Sequence, residues 1–71
     1  MPAGTASALA VVRVPHGQPR PPEPDLRAAL DRDRVRLHLS TEQHGRDVAV
    51  AGPYVITVDG QQLDEYVVWE R

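Results

Sequence analysis

The chain has 71 residues, a formal net charge of −2, no cysteine, and one Trp and two Tyr as its aromatic residues. That length holds one hydrophobic core, and without cysteine neither a disulfide framework nor a thiolate zinc site can reinforce it. The near-neutral charge excludes a global field that would drive the chain onto nucleic acid or an anionic membrane. The longest apolar run, Ala8 to Val12, is far too short to cross a bilayer and lacks the basic start of a secretory signal.

These bounds predict a single domain over residues 8–71 of a cytoplasmic protein, preceded by a flexible start at residues 1–7. The start is small and polar and carries nothing to repay the entropy of ordering. All eight basic residues are arginine, which reads first as the codon usage of a GC-rich genome and second as selection for bidentate contacts.

From Ala8 to Val14 nearly every position is apolar, the pattern of a strand at least partly covered on both faces, so a central position in the sheet, or pairing across an interface, is expected. Pro15, Pro19, Pro21, Pro22 and Pro24 then exclude helix interior and central strand, which makes residues 15–24 an extended connector. Pro24 and Asp25 supply a helix start, and Leu26, Ala29 and Leu30 follow at helical spacing for about two turns. So short a helix is marginal in water and must be held against the sheet.

After Arg32 the apolar period drops to two, with Val35, Leu37 and Leu39 alternating with Arg34, Arg36 and His38, which predicts a strand. A turn at Gln43 to Arg46, a return strand over Asp47 to Ala51, a break at Gly52-Pro53 and a strand over Tyr54 to Val58 follow. Asp59-Gly60 is the clearest local signal, because both residues accept the positive φ of a type I′ turn. A two-residue loop there sets Val58 opposite Gln61, Ile56 opposite Leu63 and Tyr54 opposite Glu65, with Val67 and Trp69 on the face of Ile56 and Tyr66 and Val68 on the other. The predicted fold is α+β: a small, mostly antiparallel sheet of four to five strands with one short helix packed on it.

No residue set with catalytic spacing emerges, so the chain is read as a non-enzyme with no cofactor. Ser7 and Ser40 lie in no nucleophile elbow. The carboxylate neighbours Asp31/Asp33 and Asp64/Glu65 read as solvated charges on exposed edges. A metal site would need His38 and His44 to meet across a hairpin; His16, His38 and His44 read more simply as surface or turn histidines.

Two partner readings remain. The leading one is a protein–protein interaction module, an accessory subunit or antitoxin-like or phage-type regulator, that binds another protein or itself as a homodimer. It rests on a terminal strand, Leu63 to Trp69, that is apolar on both faces, and it makes Tyr66, Val68 and Trp69 the candidate contacts. The alternative is a nucleic-acid-binding regulator whose Arg32, Arg34, Arg36 and Arg46 form a basic stripe. The interleaved Asp31 and Asp33 favour local ion pairing instead.

Overall fold

A computed structural model of the chain describes residues 8–39 and 47–71. The elements run β1 (Leu9–Pro15), α1 (Glu23–Leu37), β2 (Val48–Val58) and β3 (Gln61–Glu70). The strands form one antiparallel sheet in the order β1-β3-β2, and α1 packs across one face, mainly against β1. The class is α+β as expected, with three strands among the described residues in place of four or five. Residues 1–7, expected to be a flexible start, and Gln43 to Arg46, expected to turn, with them His44 and Arg46, lie outside the described residues.

The β2–β3 hairpin follows the sequence closely. Asp59 and Gly60 have φ of 50° and 79°, the pair of positive values a type I′ turn requires. The register is Val58 to Gln61, Ile56 to Leu63 and Tyr54 to Glu65.

Three expectations are corrected. The strand expected over Val35 to Leu39 is instead the end of α1, which runs for 15 residues. Its buried side is Leu26, Ala29, Leu30, Asp33 and Arg34, an unbroken series at i, i+3, i+4, i+7 and i+8. The stripe simply changes from apolar to charged after Leu30, so apolar periodicity loses it. Val35, which seemed to open a strand, lies on the outer side of the helix with 73% of its surface exposed. The helix stops at His38, which takes the left-handed conformation (φ 56°, ψ 37°). There the His38 N–H donates to the Val35 carbonyl at 3.1 Å and the Leu39 N–H to the Arg34 carbonyl at 2.9 Å, a Schellman ending without its usual glycine.

The second correction joins two expected strands into one. Gly52 and Pro53 stand together opposite Tyr66, so the break is a β-bulge inside β2 and the ladder resumes at Tyr54. Gly52 has φ of 125°, and a Cβ there would lie 2.6 Å from the Glu65 carbonyl oxygen, so backbone conformation and close approach both demand glycine. The third concerns position: β1 is an edge strand and β3 the central one, because β3 already has a neighbour on each side.

The core lies between α1 and the sheet. Leu26, Ala29 and Leu30 meet Ala8, Ala10 and Val68, with Val12, Leu39, Val48 and Val50 packed around them. Small residues on β1 let the helix approach that strand closely.

Three substitutions test this account by thermal unfolding. Gly60→Ala should cost on the order of 1 kcal/mol from strain alone, since nothing stands within 4 Å of its added Cβ. Gly52→Ala should cost about 3 kcal/mol or more, because strain and a backbone clash combine; equal costs at the two glycines would contradict the bulge geometry. His38→Gly should stabilise the chain by roughly 1 kcal/mol by relieving the left-handed cap.

Candidate protein-binding surface

Strand pairing sorts the sheet residues onto two faces. Ala10, Val12, Val48, Val50, Tyr66 and Val68 share the helix side. Leu9, Val11 and Arg13 on β1, Leu63, Glu65, Val67 and Trp69 on β3, and Ala49, Ala51, Tyr54 and Ile56 on β2 share the opposite side, where no described element packs. Leu9, Val11 and Tyr54 are each about half exposed there, at 51%, 49% and 53%. Within the strands, the charges on this face are Arg13 and Glu65, joined at 3.1 Å from the guanidinium Nε to Oε2. The open face is therefore apolar with one ion pair across it.

The three candidate contacts separate accordingly. Tyr66 and Val68 are buried on the helix side of the sheet, at 4% and 0% exposure, and Val68 packs in the core with the helix. Trp69 lies on the open face, half-buried beside Leu9 and Ala49 in adjacent strands. Leu9, Val11 and Tyr54 join it there and were missed. Strand alternation puts Tyr54 and Trp69 on one face of the hairpin, but which face the helix covers is a long-range fact.

The arginine stripe is largely engaged with carboxylates. Arg34 is buried and pairs with Glu70 at the end of β3 and, at 3.8 Å, with Asp31. Arg36 pairs with Asp33, its Nε donating at 3.1 Å, and Arg27 lies 3.6 Å from Glu23. Arg32 is exposed and has no ion-pair partner among the described residues. Arg34 is thus part of the fold's interior and offers no surface to a phosphate. Among the described residues no group of three or more His, Asp or Glu side chains converges as a metal site, and no helix is long and apolar enough to cross a membrane.

Asp33 and Asp64 are buried and structural, where the sequence predicts solvated charges. Asp33 accepts from the Leu9 N–H at 2.7 Å. Burial pushes its carboxyl up, but the hydrogen bonds from Leu9 and Arg36 outweigh burial and hold it below the ordinary value. Asp64, 4% exposed, is hydrogen-bonded to His16 Nδ1 at 2.7 Å and accepts from the Gly17 N–H at 3.2 Å. The His16 bond, helped by Gly17 and opposed by burial, lowers its carboxyl as well. Asp64 pins the turn that leads from β1 into the proline-rich connector. Glu65, its neighbour, points to the opposite face, as strand alternation requires.

Compared with protein-family models, with curated proteins and with solved structures, the chain matches none. The functional reading therefore rests on its own surfaces.

The two lowered carboxyls set a pH dependence. Because each has a lower value folded than unfolded, the unfolded chain takes up protons first as pH falls, from about pH 4 downward. Stability is present in full above that range and is lost as pH drops through the folded values. The unfolding temperature should be level from neutral pH to about pH 5 and fall steeply below about pH 4. Asp64→Asn should give a lower but flatter acid limb; an acid limb as steep as the parent's would remove Asp64 from this role.

Proposed function

We propose that this chain is a non-catalytic protein-interaction module that works by laying the open face of its sheet on another protein or on a second copy of itself. The observation that carries the reading is the half-exposed apolar set Leu9, Val11 and Tyr54 beside Trp69, on the face that α1 leaves uncovered. Apolar sheet faces are normally covered by a second layer, and an exposed one marks an interaction site. Tyr54 and Trp69 are of the residue types that most often anchor interfaces. The Arg13–Glu65 pair gives the face a fixed polar feature that sets the orientation of a partner more than its affinity.

A photo-crosslinking amino acid placed at Tyr54, in cells that express the chain, tests the reading directly. The expected product is one discrete adduct, either a dimer of the chain or a complex with one other protein. The same probe at Val35, which is exposed on the far side of the helix, should give none. No discrete product at Tyr54, or the same product from both positions, would reject the open face as an interface.

A further inference from the structure

The free edge of β1 is closed at both ends and open in the middle. The Leu9 N–H is taken by Asp33, so the backbone groups of Leu9 point out of the sheet, and by antiparallel alternation those of Val11 and Arg13 do too. The His16 N–H donates inward to the Gln62 carbonyl at 3.1 Å, which fixes the same phase from the other end. Pro15, the next outward position, has no N–H, and its carbonyl accepts from the Gln18 N–H at 3.2 Å. The edge therefore offers outward donors at Val11 and Arg13 and outward acceptors at Leu9, Val11 and Arg13.

A groove of about 370 Å³ lies between β1 and α1 at this edge, lined by Leu9, Val11 and Ala29 and by the charged Arg32, Asp33 and Arg36. Asp33 and Arg36 neutralise each other, which leaves the Arg32 guanidinium as the uncompensated charge of the groove. A groove between an edge strand and a helix is a geometry in which proteins accept an extended segment as an added strand.

We infer that this groove is a strand-addition site for an extended segment of a partner protein in which apolar and acidic residues alternate. The inference rests on the reading of the chain as a protein-binding module and specifies the partner's chemistry. Main-chain bonds to Val11 and Arg13 fix the segment in register. Its side chains on the open-face side then lie beside the half-exposed Leu9 and Val11 and are apolar; those on the helix side meet Arg32 and are acidic. Charge argues against a second copy in this position. The chain's own β1, Leu-Ala-Val-Val-Arg-Val-Pro, brings no carboxylate to Arg32.

The test is fluorescence anisotropy of the full chain with labelled ten-residue peptides that alternate valine with glutamate or valine with lysine, combined with amide exchange by NMR. The Val-Glu peptide should bind at least tenfold more tightly than the Val-Lys peptide, and should slow exchange at Val11 and Arg13. Arg32→Glu should lose tenfold or more of that affinity, and Arg32→Gln an intermediate amount, both with the parent's unfolding temperature. N-methylation of the alternate peptide residues whose N–H faces β1 should abolish binding, while methylation of the other set should not. Equal binding of the two peptides, or equal effects of the two methylation sets, would overturn the inference. Protection of Val11 and Arg13 by self-association alone, or binding of an oligonucleotide but not the peptide through Arg32, would also overturn it and assign the edge to a second copy or to nucleic acid. If the peptide fails while the Tyr54 crosslink persists, the module stands and this site falls; loss of both removes the module.

Discussion

The fold depends on two charged residues placed side by side in the buried stripe of α1. Leu26, Ala29 and Leu30 give the helix two apolar turns, too few to hold a 15-residue helix on a sheet by burial alone. Asp33 and Arg34 continue that stripe and bind the sheet at two separate points: Asp33 takes the first backbone donor of β1, and Arg34 pairs with Glu70 at the last residue of β3. Each contact is directional where apolar packing is not, so together they fix the helix over the β1 side of the sheet. Removing one member of a buried ion pair leaves an uncompensated charge, at a cost of about 3–5 kcal/mol. The orientation of the helix, and hence which face of the sheet stays open, follows from these two residues more than from the apolar core.

The same placement decided what could be read in the chain. Asp59-Gly60 fixes the hairpin register without help from distant residues, and every pairing from Tyr54–Glu65 to Val58–Gln61 follows from it. The end of the helix carried no such marker. Its last two turns bury charge in place of leucine, and it stops at a left-handed histidine where a glycine would have announced the boundary. Val35, Leu37 and Leu39 then imitate a strand, although Val35 is on the helix surface and Leu39 reaches the core only after the cap. Gly52-Pro53 misled in the opposite direction: it has the composition of a turn, but its two residues are absorbed opposite Tyr66 as a bulge.

Of the candidate site, the division of the hairpin into two faces was legible and the choice between them was not. Alternation separates Tyr66 and Val68 from Trp69; the helix lies on the side of the first two and leaves the third on the open face. The partners of buried charges were equally hidden. His16 and Asp64 are 48 residues apart, and Arg34 and Glu70 are 36 apart, so no local pattern joins either pair. Arg32 differs from Arg34 and Arg36 by its angular position on one helix, and the series is indistinguishable by composition.

The two sheet edges are guarded in different ways, and if the chain is the interaction module proposed above, the difference bears on how it would select a partner. On β2 the bulge at Gly52-Pro53 bends the strand midway and removes a donor, a device that discourages pairing along the full length of an exposed edge. On β1 the guard is placed at the ends, Asp33 at Leu9 and the missing donor at Pro15. An unguarded edge beside an apolar face would pair with almost any extended chain. With both ends of β1 closed to donation, a guest strand would have only the Val11 and Arg13 groups and the Leu9 carbonyl to bond, too few to bind by main-chain contacts alone, since each adds only about 1 kcal/mol net. The proposed guest's side chains would then have to supply the remaining affinity, against Leu9 and Val11 on one side and Arg32 on the other. On the proposed reading α1 thus has two roles: its buried Asp33 and Arg34 hold the helix, and Asp33 with the exposed Arg32 would turn a generic strand edge into one that discriminates by sequence.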